Sequence, residues 1–419
     1  MKFGGTSVAD AERIKRAASR IVEKREAGYS VVAVLSARGA TTDELIAMAE
    51  EVSHTPDPRE MDMLLSTGER ISCALCAMAI HDLGHRAISL TGSQAGIVTD
   101  TSHTKARILS VRADRVRSAL EQDHIVLVAG FQGVSTADDV TTLGRGGSDT
   151  TAVAVAAALG ARECEIYTDV AGVFSADPRI VPDARKLAMV SFEEMLEMAS
   201  SGAGVLQLRS VEYARNHGVR IHCRSSFDDR PGTVVSSEGE SMDHVERPLI
   251  TAVTHSTSEA MVTLIGVSHE LGVAARIFEA LAQAAVDVDM IDQNVPTSAG
   301  GKAEISFTVP REDLRSARSA LESIEGEVFT GLTTHEEMGK VSIVGAGMRS
   351  HPGVAAKVFS VLAGENINIE MISTSPIKIS CVIAREYVEQ AVRALHGAFE
   401  LSGPDTIGVE EPFRAAGGR

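Results

Sequence analysis

Three glycine-rich or polar stretches each stand at the end of an apparent strand, and together they carry the groups that handle an anion. The first is Lys2-Phe3-Gly4-Gly5-Thr6-Ser7. The second is Leu143-Gly144-Arg145-Gly146-Gly147-Ser148-Asp149-Thr150. The third runs from Thr168 and Asp169 through Ala171 and Phe174 to Asp177-Pro178-Arg179. Glycines let the backbone approach a phosphate, and the N-terminus of a following helix adds N–H donors and a favourable dipole. Lysine suits a phosphate as a point charge, whereas the arginine fork suits a carboxylate. Neither glycine stretch is a P-loop, because GGTS lacks the four-residue spacer and the following Lys, and neither gives G-x-G-x-x-G in a usable context. Taken singly, each also reads as an ordinary turn. Three in this order within one unit point to a nucleotide-dependent transferase.

The elements that must position these stretches alternate. Ala9 to about Glu26 has apolar residues at helical spacing, and YSVVAVLSA is a continuous apolar run of the buried parallel-strand kind. DELIAMAEEVS and Glu60–Leu83 read as helices, HIVLVAGFQG as a strand, TTAVAVAAALGA as a helix closed by glycine, and ECEIYTDV as a strand. A helical pair around FEEMLEMASSGAGVLQLRSVEYARNHG and a strand at IHCRSS complete an α/β domain with a mainly parallel sheet, residues 1–235. In open parallel sheets ligands bind beyond the carboxyl ends of strands, where the three stretches fall.

Residues 236–247 are polar and read as a linker. Beyond them VTLIGVSHELGVAARIFEALAQAAVDVDMI resembles VSIVGAGMRSHPGVAAKVFSVLAGENINIEMI at an offset of 81 residues (Val273 to Val354, Val286 to Ile367). Each copy reads as a small split β-α-β module, the first over 248–335 and the second over 336–419.

Composition sets the bounds. The chain has 419 residues, enough for two or three domains, with 44% hydrophobic and 23% charged residues. A net charge of −17 offers nothing to nucleic acid or anionic lipid. No sequence run reads as a membrane span or a secretory leader, so the expected location is cytoplasmic. Five scattered cysteines argue against a disulfide framework, and Cys73-x-x-Cys76 sits in an apolar helical pattern as a buried, inert pair.

KFGGTSV, SARGATTDEL, STGERIS, FQGVSTADDVTTLGRGGSDTTA, TDVAGVFSADPRIV and the doubled C-terminal module resemble the aspartate kinases, in the same order and over essentially the whole length. The resemblance implies an amino-acid-kinase fold, a three-layer α/β domain, followed by two ferredoxin-like ACT modules. It implies transfer of the γ-phosphoryl group of MgATP to the β-carboxylate of L-aspartate. By the same resemblance Lys2 touches the transferring group, with Phe3, Gly4, Gly5, Gly146 and Gly147 around it and Ser36 and Ser148 near the phosphates. Arg145 grips the α-carboxylate of aspartate, Glu69 takes its ammonium group, and Asp149 orients Lys2 or the substrate. Ala40, Thr41, Thr42, Asp43 and Glu44 match the substrate loop. Thr168, Asp169, Phe174, Ser175, Ala176, Asp177, Pro178 and Arg179 match the segment holding the adenosine. Mg²⁺ is expected on phosphate oxygens and water, with no dedicated protein cage. Alternatives are a kinase for another small amino acid and a non-catalytic amino-acid sensor; the Glu69/Arg145 pair argues for an α-amino acid.

The same family places effector sites between paired modules, near residues matching Gly272, Gln293, Asn294, Ile367 and Asn368, and assembles through them. Departures are informative. Ala171, Phe174 and Gly204 replace an acid, a phenol and a lysine common in relatives, which bears on nucleotide affinity. Ser268-His269-Glu270-Leu271-Gly272 departs from the usual SDKPG, so altered or weakened inhibition by lysine and threonine is expected. Relatives carry a short apolar strand before KFGG. Here only Met1 precedes it, so an upstream start, or a loosely held Lys2, is expected. Met242 in the linker matches the place where some relatives start a shorter subunit of an α₂β₂ assembly.

Overall fold

The computed structural model describes residues 1–237, 249–268, 270–294 and 303–404; the expected linker and Met242 fall almost wholly outside them. The first half runs β1 (Lys2–Phe3), α1 (Ala11–Glu26), β2 (Val32–Leu35), α2 (Thr41–Val52), α3 (Pro58–Leu65), α4 (Thr67–Asp82) and β3 (Ala87–Leu90). It continues with β4 (Ile97–Thr99), β5 (Ile108–Val111), α5 (Asp114–Glu121), β6 (Ile125–Ala129), β7 (Gln132–Ser135), β8 (Val140–Thr142), α6 (Gly147–Leu159) and β9 (Glu163–Thr168). Then come β10 (Met189–Ser191), α7 (Phe192–Ser200), α8 (Leu208–His217), β11 (Arg220–Ser225) and β12 (Thr233–Ser236).

Eight of these strands form one sheet in the order β10-β12-β11-β9-β1-β2-β6-β3, parallel except for the β11/β12 pair. Its strands read as continuous apolar runs because both faces are covered. Ala33 and Leu35 point to one core with α1 and α4, while Val34 points to the other with α6, α7 and α8. Ile125 and Leu127 alternate with Val126 and Val128 in the same way. The expected mainly parallel three-layer domain is what forms. A separate four-stranded sheet, β5-β4-β7-β8, was not legible: its strands are three or four residues long and half exposed in β5. The helical stretch Pro58–Asp82 is 25 residues long with mean hydropathy 1.3, and half of its apolar window is buried inside the protein. Cys73 and Cys76 lie in that buried half, and burial pushes the Cys76 thiol up to about 12.

The C-terminal half comprises β13 (Ala252–Val267), α9 (Val273–Gln283), β14 (Ile291–Asn294), β15 (Ala303–Pro310), α10 (Leu314–Glu322) and β16 (Gly331–Val344). It ends with α11 (Val354–Gly364), β17 (Met371–Ser375), β18 (Lys378–Ala384) and α12 (Val388–Ala398). The repeat extends to backbone conformation. Gly272 and Gly353 precede their helices with φ of 87° and 98°, and Ala285 and Asn366 follow them with φ of 54° and 57°.

The two modules share one six-stranded sheet, β14-β15-β13-β16-β18-β17. Residues 252–256 of β13 pair with 340–344 of β16, and residues 259–265 pair with 331–338. Ile250 and Val253 therefore pack with α11 and α12, whereas Val262 and Leu264 pack with α9 and α10. The first module is nested within the second, which differs from a simple division at 335/336. A repeat read as two consecutive copies cannot show that the entering strand belongs to the later one.

Glu194 fastens the halves together. Its Oε2 accepts from Ser191 Oγ at 2.7 Å, and its Oε1 accepts from Thr251 Oγ1 at 2.6 Å and the Ala346 N–H at 3.1 Å. Burial opposes its charge, yet these donors hold its pKa below the ordinary carboxylate value. Glu194→Ala strands buried donors and is expected to cost about 3 kcal/mol. Thermal unfolding checks this against exposed Glu212→Ala, which should change little.

Candidate active site

Lys2 stands on a two-residue strand, yet that strand is central. It pairs in parallel with Val34 of β2 on one side and Ile166 of β9 on the other. The Met1 amino group donates to Val32 O at 2.8 Å, and the Phe3 ring stacks on Tyr167 with centroids 4.8 Å apart. A loosely held Lys2 is thus not what is seen. The residue is 9% exposed, and Nζ lies 2.5 Å from Asp149 Oδ1. That pair joins the first glycine stretch to the second. Asp149 lies within the first turn of α6 and makes no capping bond, so its partner is Lys2 rather than the helix end. A cavity of about 410 Å³ beside Met1, lined by Val32, Val155 and Cys164, contains none of these polar groups.

Glu69 is 3% exposed near the start of α4. Its Oε1 accepts from the Ala37 N–H at 3.1 Å, and its Oε2 has no hydrogen-bond partner among the described residues. Burial raises its pKa from 4.5 to about 7 despite the Ala37 bond, which lowers it. A buried carboxylate with an unpartnered oxygen is able to accept from a cation. Ala37 also fixes its distance from the first stretch. A Cβ on Gly5 would lie 2.8 Å from Ala37 O, and one on Gly68 would lie 2.8 Å from Ala37 Cβ. The Gly39 N–H donates to Gly5 O at 3.0 Å. Gly5→Ala must push the 37–39 loop away, at an expected cost of about 1–3 kcal/mol and a larger proportional loss of turnover. Parallel unfolding and rate measurements check the two.

Arg145 is exposed between Gly144 and Gly146, whose φ values are 76° and 71°. It has no hydrogen bond or ion pair among the described residues, so its fork is open to a ligand. Ser148 is buried, with its Oγ packed on Gly130, and Ser36 is half-buried with its N–H on Phe3 O at 3.1 Å. Gly4 leaves its α-carbon bare beside the Lys2 ammonium: a Cβ there would be 3.5 Å from Nζ. Gly147 opens α6, placing the positive end of a 13-residue helix at this point. Thr41 and Thr42 begin α2 half-buried, after exposed Ala40. Exposed Asp43 and Glu44 sit in its first turn, where acids stabilise a helix regardless of substrate.

The third stretch divides. Thr168 and Asp169 stay at the end of β9, next to Gly4, whose N–H donates to Tyr167 O at 3.2 Å. Ser175 and Ala176, at 0% and 4% exposure, turn into the second module, with Ser175 Oγ at 2.9 Å from His396 Nε2. Phe174 packs on the same core. The Phe174, Ser175 and Ala176 side chains pack at the domain junction, because this segment leaves the sheet to meet α12. Asp177 and Arg179 pair at 2.6 Å beyond it, and Pro178 is exposed. A side chain at Gly204 would meet open space.

Sequence reasoning missed Asp62, which is fully buried. It accepts from Thr142 Oγ1 at 2.5 Å, the Thr104 N–H at 3.1 Å and His103 Nδ1 at 2.7 Å, bracing the strand that leads to Leu143. A lone acid on the apolar side of EMDMLL was the available signal.

The expected effector residues do not meet within the chain. Gln293 and Asn294 lie on edge strand β14, while Ile367 and Asn368 lead into β17 at the opposite edge. Five strand spacings separate those edges, about 24 Å. Gly272 opens α9 with nothing near its α-carbon.

Comparison with known proteins gives a consistent picture. The amino acid kinase family model matches residues 1–225, and an ACT domain model matches two stretches, 262–323 and 341–399. The chain is 56% identical over 406 residues to an aspartokinase of Mycolicibacterium smegmatis, covering 96% of each. Escherichia coli aspartokinase III in complex with aspartate and ADP shares 26% identity and superposes with a TM-score of 0.80, over 95% of this chain and 98% of that one. The same enzyme in complex with lysine and aspartate gives 0.71 at 26% identity, over the same shares. The chain belongs to the amino acid kinase family and, within it, to the aspartokinases.

Proposed function

We infer that the protein transfers the γ-phosphoryl group of ATP to the β-carboxylate of L-aspartate, giving ADP and 4-phospho-L-aspartate. The observation that carries this reading is a trio of groups: buried Lys2 on Asp149, buried Glu69 with an idle oxygen, and unpaired Arg145 between two glycines. The β-carboxylate of aspartate, with an ordinary pKa near 3.9, is already ionised and needs no general base. Catalysis is then positioning plus cancellation of charge between two anions. Glu69 and Arg145 hold the ammonium and α-carboxylate groups, which turns the β-carboxylate towards the phosphoryl group. Lys2 and the amides around Gly4, Gly5 and Gly147 meet the charge that spreads over the transferring oxygens. Asp149 holds the Lys2 ammonium group aimed. Mg²⁺, when bound, would supply further charge neutralisation on the phosphates. Thr168, Asp169 and the Asp177–Arg179 turn border the nucleotide side.

ADP release with MgATP across L-aspartate, L-glutamate, L-asparagine and N-acetyl-L-aspartate tests the reading. Turnover is expected with aspartate, sharply less with glutamate, and almost none where the β-carboxylate or the ammonium group is masked. Equal turnover with N-acetyl-L-aspartate would remove the role given to Glu69.

The division into a catalytic domain over 1–235 and two ACT modules, the first nested in the second, belongs to this reading, as does a cytoplasmic location. Regulation does too. Because Gln293 and Asn368 lie at opposite sheet edges, an amino-acid effector touching both requires a second chain, which makes a homo-oligomer through the modules, or an α₂β₂ form started at Met242, the regulated state. The departures at Ser268–Gly272 point to weakened inhibition by lysine and threonine. Full inhibition at low-millimolar effector contradicts that part.

A further inference from the structure

Arg145 is exposed and flanked by glycines in left-handed conformation, so its own backbone does little to aim it. A fork that must meet a carboxylate with two parallel bonds needs that backbone fixed. Helix α8 supplies the fixing. A Cβ on Gly146 would lie 2.6 Å from Gln207 Cβ and 2.7 Å from its Cδ, so the aliphatic stem of Gln207 rests on the bare α-carbon next to Arg145. Two residues further on, Arg209 Nη1 donates to Leu143 O at 3.0 Å and Nη2 donates to Ala106 O at 2.8 Å. This half-buried guanidinium has no carboxylate partner among the described residues. Its hydrogen bonds go to the carbonyl that opens the turn and to one on the 104–106 segment, whose Thr104 O would lie 3.2 Å from a Cβ on Gly144. Those carbonyls are themselves framed: the Ala106 N–H donates to Thr142 O at 2.9 Å and the Leu143 N–H to Phe131 O at 2.8 Å.

We propose that Gln207 and Arg209 are positioning residues for Arg145, holding the Leu143–Gly147 turn so that its fork meets the α-carboxylate of the substrate. The proposal rests on the reading of Arg145 as the carboxylate-binding residue. Neither residue touches the substrate. Their removal therefore weakens aspartate binding without disturbing the nucleotide.

Steady-state ADP release by the full chain, varying L-aspartate and MgATP separately, tests this with a double-mutant cycle. Arg209→Ala is expected to raise KM for aspartate about tenfold, with KM for MgATP within about twofold of wild type. Arg209→Lys, able to reach one of the two carbonyls, should recover part of that loss. In an Arg145→Ala background, Arg209→Ala should change KM for aspartate by less than about twofold, because the residue it acts through is gone. An unchanged KM in the single variant overturns the proposal. So does an undiminished effect in the Arg145→Ala background, which would mean general loosening of the domain. If Arg145→Ala itself leaves KM for aspartate unchanged, the reading of Arg145 fails first and this proposal falls with it, whatever Arg209 does. Should Arg209→Ala not fold, Gln207→Ala removes only the stem on Gly146. It is expected to raise KM for aspartate about threefold, and the same cycle applies.

Discussion

Lys2→Ala should reduce kcat by about 10²–10³-fold or more, since it removes the preorganised cation facing the transferring group. It should also unsettle the fold. Lys2 and Asp149 are both nearly buried and only 2.5 Å apart, so removing one leaves a carboxylate uncompensated, at about 3–5 kcal/mol. The two effects separate in the double variant Lys2→Ala/Asp149→Asn. Neutralising the stranded acid should return much of the thermal stability while activity stays lost. Recovery of turnover in the double variant would mean that Lys2 serves only to neutralise Asp149.

Glu69→Gln should give a protein that is more stable and nearly inactive. In the native state burial raises the Glu69 pKa to about 7, against an ordinary value of 4.5. Below pH 4.5 both native and unfolded chains hold the proton and there is no penalty. Between 4.5 and 7 the unfolded chain loses the proton first, so the native state is progressively disfavoured; above 7 the penalty is complete, at about 3 kcal/mol. Glutamine avoids it, so the ligand-free variant should melt higher than wild type at pH 8 and about the same at pH 4.5. Function has the opposite demand, because the substrate's ammonium group needs an ionised partner. Wild-type kcat/KM for aspartate should therefore rise about tenfold per unit below pH 7 and level off above it. The glutamine variant should lack that limb and sit about 10²-fold lower at pH 8, the cost of leaving an ammonium group unpaired. A wild-type profile flat from pH 5.5 to 8 would contradict the titration assigned to Glu69.

What the sequence showed and what it hid have separate physical causes. Parallel strands covered on both faces leave an unmistakable apolar run, so β2, β6 and β9 were readable, as were the glycine stretches at their ends. The 81-residue repeat was readable because helix and strand recur without a gap. The small β5-β4-β7-β8 sheet was not, since short half-exposed strands leave no period. Nor was the nesting of the modules, which depends on residues 252–256 pairing with 340–344, a contact between strands far apart in the chain. The packing of Ser175 and Ala176 at the domain junction was not legible, because a motif read as one piece does not show where the chain turns. The chain bends within that motif, and α12 takes those two side chains. Lys2–Asp149 was anticipated in kind, but Asp62, Gln207 and Arg209 act through tertiary contacts to backbone carbonyls, amides and bare α-carbons, which no spacing announces.

The central claim is that Lys2, Glu69 and Arg145 direct a phosphoryl group onto a carboxylate. Incubation with MgATP, L-aspartate and hydroxylamine tests it most directly, because an acyl phosphate is captured as a hydroxamate. The account predicts aspartyl hydroxamate forming in step with ADP, one for one, and no accumulation with Lys2→Ala. ADP released from the wild-type protein without hydroxamate, or hydroxamate undiminished by Lys2→Ala, would contradict it.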